Sequence, residues 1–132
     1  LALAVPLALA GGALASQHVG GLHPCEMCYW QRWPHYAAIG VAAAAALTPV
    51  PTIRRLLVIA AGALVAASGV IGVLHAGVEY GWWDGFTACA SGLRPTRSTA
   101  ELLDQIMAAP VTRCDVPQWT LAGISLAGFN AL

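Results

Sequence analysis

The chain has 132 residues, 58% of them apolar and 9% charged, with six arginines balancing six acids and no lysine. Water-soluble domains carry roughly 25% charged residues, and the mean hydropathy here is +0.70, so an ordinary soluble globule is excluded and a lipid-embedded chain is expected. No basic run exists that would hold nucleic acid.

Four apolar segments follow one another. The first, Leu1 to Ala15, is shorter than the roughly 20 residues that a membrane span needs. Its "ALAS" end resembles a signal-peptide cleavage site, yet three more apolar segments follow, so it reads as the end of a first span whose beginning precedes Leu1. The second runs from about Tyr29 to Leu47 and the third, "LLVIAAGALVAASGVIGVLHAGV", from Leu56 to Val78. The fourth starts near Trp119 and is still apolar at Leu132, so both ends are expected to continue. Backbone groups in hydrocarbon must pair within their own segment, and no alternating pattern suggests a barrel, so the segments read as helices. Their many Gly, Ala and Ser residues allow close helix approach.

The connectors orient the bundle. "TPVPTIRR", Thr48 to Arg55, is short and holds Arg54 and Arg55 without an acid, so it is expected on the cytoplasmic side. The expected organisation is all-α: a four-transmembrane-helix bundle forming a single integral membrane domain over residues 1–132. Its spans lie at about 1–16, 29–47, 56–78 and 117–132, its outer loops at about 17–28 and 79–116, and its cytoplasmic loop at 48–55. Nine of the ten aromatic residues, all but Phe129, fall at the outer level, as an interfacial belt would. Within the long second outer loop, Ser98 and Glu101 match a capping box, and Pro110 ends the run. Leu102, Leu103, Ile106 and Met107 share one face of that run, opposite Glu101, Asp104 and Gln105, so a short amphipathic helix is expected. It lies flat on the membrane or packs on protein.

All four cysteines fall on the outer side: Cys25 and Cys28 in "LHPCEMCYWQR", Cys89 and Cys114 in the second loop. Two structural disulfides are one reading. Bridging Cys89 and Cys114 would stabilise the loop by about 3 kcal/mol in the chain-entropy model, whereas a bridge across two residues removes little chain entropy. A metal site is another, with His18, His23, Cys25 and Cys28 as ligands and Cys89, Cys114 and His75 in reach. Zinc motifs pair C-x-x-C with a second compact pair, which is absent. A redox couple explains more. Cys25 and Cys28 stand at a helix start, where the dipole favours thiolate. Arg32, one turn after Cys28, adds a fixed positive charge or snorkels to the interface, and Pro34 is expected to disturb the turn that holds it.

These features resemble the disulfide bond formation protein B family, DsbB. The resemblance rests on four apolar segments, "CEMCYWQR", a second outer cysteine pair, and "RCDVPQW" leading into the last segment. It implies that Cys89 and Cys114 meet a periplasmic DsbA-like dithiol oxidase, with Cys89 forming the mixed disulfide. It implies further that Cys25 and Cys28 are coupled to a quinone (ubiquinone or menaquinone), with Cys28 beside the ring and Arg32 in contact with it. Family members carry a histidine near the outer end of the third span, and His75 is the candidate, though packing or capping would equally account for it. The implied location is the bacterial inner membrane, with the cysteine loops periplasmic. The DsbA–DsbB–quinone relay is an established oxidant of the bacterial periplasm, and DsbA is itself strongly oxidising at about −120 mV. Reoxidising it through a more reducing pair would run uphill, so quinone chemistry must draw the sequence forward. The competing classes are a vitamin K epoxide reductase-like enzyme, whose C-x-x-C typically follows its loop cysteines, and a metal-handling or non-enzymatic membrane protein with structural disulfides.

Overall fold

The computed structural model describes residues 2–85, 87–90, 95–96, 98–109 and 112–132. In chain order these form α1 (Ala4–His18), α2 (Glu26–Leu47), α3 (Pro51–Glu79), a 3-10 turn (Ala88–Ala90), α4 (Thr99–Ala108), strands β1 (Thr120–Leu121) and β2 (Ile124–Ser125), and α5 (Leu126–Ala131). The chain is mostly helical, and α2 packs along α3, with α1 against α2 and α5 against α3.

The helix ends follow local chemistry. Pro51 occupies the first turn of α3, where its missing N–H costs nothing. The helix therefore takes in Arg54 and Arg55, expected in the connector before it. At 29 residues α3 is about 44 Å long, more than the roughly 30 Å of a bilayer's hydrocarbon. Among the described residues it is the one helix both long and apolar enough to cross a membrane. α1, with 15 residues, falls short of the roughly 20 required. α2 has 22 residues and begins at Glu26, three residues before its expected start, and its first turns carry Gln31, Arg32 and His35. It continues through Pro34 as one helix, so the expected disturbance does not break it.

The last segment departs from expectation. A helix was expected from residue 117, but β1 and β2 pair antiparallel, Thr120 opposite Ser125 and Leu121 opposite Ile124, around a turn at Ala122 and Gly123. Both turn residues have positive φ, 52° and 81°, which a helix cannot hold. Helix geometry resumes at Leu126, where the Ser125 hydroxyl accepts the Gly128 N–H at 3.1 Å. The hairpin corrects the expectation of one continuous last helix, in a chain that is otherwise helical. Phe129, placed apart from the other aromatics by the sequence, packs beside Trp119 at 6.2 Å between ring centroids. Phe86 of the expected belt lies outside the described residues.

The distribution of side chains inverts that of a soluble protein. Small and polar residues fill the inside: Ala38, Ala42, Ala45, Ala61 and Ser68 are buried, as are Gln31, His35 and His75. Large apolar residues face outward along the shafts of the helices, among them Leu7, Leu9, Leu56, Ile59, Val70 and Val73. Water penalises that arrangement, whereas hydrocarbon does not. Gly72 shows why small residues are needed: a Cβ there would stand 3.0 Å from the Ala127 carbonyl oxygen, so α3 meets α5 almost backbone to backbone.

α4 forms where the capping box places it, with the Ser98 hydroxyl accepting the Glu101 N–H at 3.2 Å. It ends at Ala108, and Pro110, expected to stop it, lies outside the described residues. No residue of α4 is buried, and Leu102, Leu103, Ile106 and Met107 are all exposed.

Candidate active site

The site is assembled at the end of the bundle where α2 begins and α3 ends. Cys25 is the N-cap of α2: its backbone is extended and its sulfur accepts the Cys28 N–H at 3.2 Å. The capping role usually taken by a serine or aspartate oxygen is here held by a thiol. The helical turn then brings Cys28 round so that the two sulfurs lie 2.8 Å apart as a hydrogen-bonded thiol pair. Cys28 accepts from the Cys25 thiol, which holds it below the ordinary thiol range, and Arg32 helps. Cys25 is pushed up, first by the Cys28 sulfur and then by burial. One proton therefore leaves the pair easily, and the second is retained.

The second cysteine pair comes to the same place. Cys89 and Cys114, 25 residues apart in sequence, are joined by a disulfide with their Cα atoms 5.3 Å apart. The backbone supports the join, since the Cys114 N–H donates to the Cys89 carbonyl at 3.0 Å. Cys25, Cys89 and Cys114 share one buried cluster with Met27 and Val78, and Cys28 packs against it. Met27, to which the sequence assigned no role, is 1% exposed and fills the space beneath the thiols. Thr87 places its hydroxyl 2.9 Å from the Cys89 sulfur.

His75, from the last turns of α3, points its Nε2 at the Cys25 sulfur at 3.5 Å. Its Nδ1 meets Gln31 Nε2 at 2.7 Å, and Glu79 Oε1 lies 3.7 Å from Nε2. Gln31 extends the contact into a buried polar chain. Asn130 of α5 donates to Gln31 Oε1 at 2.9 Å and to Ser68 Oγ at 3.0 Å, and its Oδ1 lies 2.8 Å from His35 Nε2. Ser68 in turn donates to the Gln31 carbonyl at 2.7 Å. Of this chain the sequence singled out His75 alone. The missed signal was spacing: Gln31 and His35 stand four apart on α2, Ser68 and His75 seven apart on α3, so each pair falls on one face of an otherwise apolar helix.

Arg32 is buried and held by α1: it donates to Gln17 Oε1 at 2.5 Å and to the Ala13 carbonyl at 3.0 Å. Its guanidinium also lies 5.5 Å from the centroid of the Tyr29 ring. This is a fixed position rather than a snorkelling one. Among the described residues no carboxylate pairs with it, so its charge remains uncompensated toward a cavity of about 230 Å³. Apolar residues such as Leu9, Trp119, Leu126 and Phe129 dominate the walls, and Cys28, Gln31, Arg32 and His75 also line it. An apolar slot with a few convergent polar groups suits a flat hydrophobic ring bearing polar oxygens.

Of the six residues in the C-x-x-C, the second cysteine pair, His75 and Arg32, five meet directly at one site: Cys25, Cys28, Cys89, Cys114 and His75, and Arg32 lines the same cavity as Cys25, Cys28 and His75. A dithiol at a helix N-terminus stacked on a second disulfide is an arrangement for thiol–disulfide exchange, at the end of a helical bundle with an apolar exterior.

Comparison with known proteins agrees with that class. The family model "Disulfide bond formation protein DsbB" matches residues 1–132. The chain is also 33% identical over 131 residues to disulfide bond formation protein B of Polaromonas sp. (strain JS666 / ATCC BAA-500), covering 96% of this chain and 76% of that protein. No solved structure matches. The chain belongs to the DsbB family, membrane oxidoreductases of disulfide bond formation.

Proposed function

We propose that this protein reoxidises a periplasmic DsbA-like dithiol oxidase and passes the electrons to a membrane quinone. The observation that carries the reading is the convergence of both cysteine pairs on one buried cluster, Cys28 packed against it, beside a largely apolar cavity with a fixed arginine. The bundle would span the bacterial inner membrane four times. Arg54 and Arg55 stand at one end of α3 and His75 at the other, about 30 Å apart along the helix, which is the thickness of the hydrocarbon layer. With the arginines cytoplasmic, the cysteines are periplasmic. The exposed apolar face of α4 would rest on the outer leaflet.

Exchange proceeds by thiolate attack through a mixed disulfide. A thiolate of the reduced partner attacks Cys89, the Cys89–Cys114 bond breaks, and Cys114 leaves as a thiolate. The partner's second thiolate then attacks the mixed disulfide, so the partner departs oxidised and Cys89 and Cys114 are both reduced. They next attack an oxidised Cys25–Cys28 bond, which returns Cys89 and Cys114 to a disulfide and leaves Cys25 and Cys28 as thiols. Both Cys89 and Cys114 are buried, so the loop that carries them must open toward the partner and close again onto α2. A quinone accepts two electrons and two protons when bound, and those are what the Cys25–Cys28 dithiol gives up in closing to a disulfide. Arg32 would face its oxygen, Cys28 would lie beside the ring, and the Cys25 N-cap would hold the Cys28 sulfur in place.

Thiol trapping tests the reading. Protein reduced by a DsbA-like oxidase should show Cys25 and Cys28 blocked by alkylation without quinone and protected, as a disulfide, once ubiquinone or menaquinone analogue is added. Cysteines indifferent to quinone would return the protein to a scaffold with structural disulfides.

A further inference from the structure

We infer that the reduced Cys25–Cys28 dithiol and His75 together form a redox-gated site for a soft divalent metal ion, zinc or cadmium, whose occupancy arrests electron transfer. The inference rests on the dithiol reading of the site, and on no assumption about the electron acceptor. Cys25 Sγ, Cys28 Sγ and a ring nitrogen of His75 all lie within 4.8 Å of one another. Tetrahedral zinc with bonds of about 2.3 Å to sulfur and about 2.05 Å to nitrogen separates a sulfur from a nitrogen ligand by about 3.5 Å. The Cys25 sulfur and His75 Nε2 already stand 3.5 Å apart. The two sulfurs, at 2.8 Å, would need to open to about 3.8 Å, a shift of about 1 Å. Cys25, Cys28 and His75 all open into the cavity, so an ion can enter and a fourth position stays free for water. Glu79 Oε1 lies 3.7 Å from His75 Nε2, outside the group of three.

Proton balance is simple. The ion displaces one proton from each thiol, and both leave to solvent. His75 must present a bare Nε2, so its proton has to move to Nδ1, which now accepts from Gln31 Nε2; Gln31 receives it by turning its amide so that Oε1 faces the ring, giving up the bond from Asn130, which keeps its bond to Ser68. Gln31 is thereby the residue that sets the tautomer on which ligation depends. Gating follows from the sulfur chemistry. A Cys25–Cys28 disulfide offers no thiolate, so only the electron-loaded protein captures the ion, and a captured pair cannot close to a disulfide.

Cobalt(II), a spectroscopic stand-in for zinc, tests this on the full chain in detergent. The protein reduced in all four cysteines should bind one ion per chain with thiolate-to-metal charge-transfer bands and a tetrahedral visible spectrum. Protein oxidised by excess quinone analogue or diamide should bind none. His75→Ala and the milder His75→Gln should weaken binding at least tenfold, the low end of what losing even an outer supporting group costs. His18→Ala, on an exposed residue, should leave it unchanged. Cys89→Ser/Cys114→Ser should also retain binding, because the outer pair supplies no ligand. X-ray absorption of zinc-loaded wild-type protein gives a check independent of any variant: a shell of two sulfurs with nitrogen is expected. Equal binding by oxidised protein, a shell without nitrogen, loss of binding in the Cys89→Ser/Cys114→Ser variant, or no binding at all would overturn the inference. Quinone reduction measured in parallel in metal-free buffer separates the two readings. Activity without metal capture overturns this inference alone, and capture without activity overturns the relay alone.

Discussion

The backbone N–H of Cys28 donates to the sulfur of Cys25 at 3.2 Å, so one cysteine of the pair caps the helix that carries the other. The cap fixes the spacing of the sulfurs and divides their acidity. The Cys25 thiol donates to Cys28 and lowers it, while Cys25 itself is raised. A lowered thiol is reactive above its own pKa and inert below it, so Cys28 should alkylate at a lower pH than a free thiol, whose midpoint is about 8.5. Iodoacetamide labelling of the reduced protein against pH, read by mass spectrometry, should give a Cys28 midpoint below that of a free thiol. In Cys25→Ala the midpoint should rise. Identical midpoints in the two proteins would show that the cap has no electrostatic consequence.

Arg32 is anchored on α1 through Gln17 and the Ala13 carbonyl while its charge faces the cavity. On the proposed reading, replacing it with glutamine removes one charge-assisted contact to the acceptor, a loss of about 1.5–3 kcal/mol, or roughly ten- to a hundredfold in quinone KM. Exchange between the two cysteine pairs should change little by comparison, since Arg32 touches neither outer sulfur and is the smallest of the influences on Cys28. Steady-state kinetics with a quinone analogue, beside gel-resolved exchange, separate the two effects. An unchanged quinone KM would reduce Arg32 to a tether between α1 and α2.

Two helical glycines on α3 provide a matched pair. A Cβ at Gly62 meets nothing within 4 Å, whereas one at Gly72 approaches the Ala127 carbonyl, the Ala131 nitrogen and the Asn130 side chain at 3.0–3.2 Å. Gly62→Ala should raise the thermal midpoint in detergent, by up to about 1 kcal/mol of helix propensity. Gly72→Ala should lower it, because overpacking costs about 1–3 kcal/mol and α5 must shift. Equal shifts in both variants would mean that α5 does not pack on α3 as closely as described.

The sequence made the outer thiols legible as candidates for one site, because C-x-x-C, Arg32 and the second pair are patterns with strong side-chain signals, and the structure brings them together. Ser98 and Glu101 likewise placed α4, since a capping box is a contact between near neighbours. What escaped was long-range. Asn130 reaches Gln31 across 99 residues and Ser68 across 62, and nothing in an apolar run announces which polar residue will be met by a distant helix. The hairpin at Thr120–Ser125 was hidden for a different reason. Its residues are apolar enough to pass for a span, and the turn depends on the positive φ of Ala122 and Gly123, of which only the glycine is a sequence cue. The extension of α3 back to Pro51 was readable in principle from a proline favoured in the first turn. The positive-charge rule drew attention to Arg54 and Arg55 as loop residues instead.

On the proposed relay, electrons cross from the outer cysteine pair to the inner one and on to a quinone. The most direct test mixes the purified protein in detergent with reduced DsbA-like oxidase and a ubiquinone analogue, and follows quinone absorbance. One quinone should be lost per oxidase disulfide formed, with no covalent oxidase adduct and no turnover in Cys89→Ser. A folded wild-type protein that leaves the absorbance unchanged would contradict the relay, as would turnover that persists without Cys89.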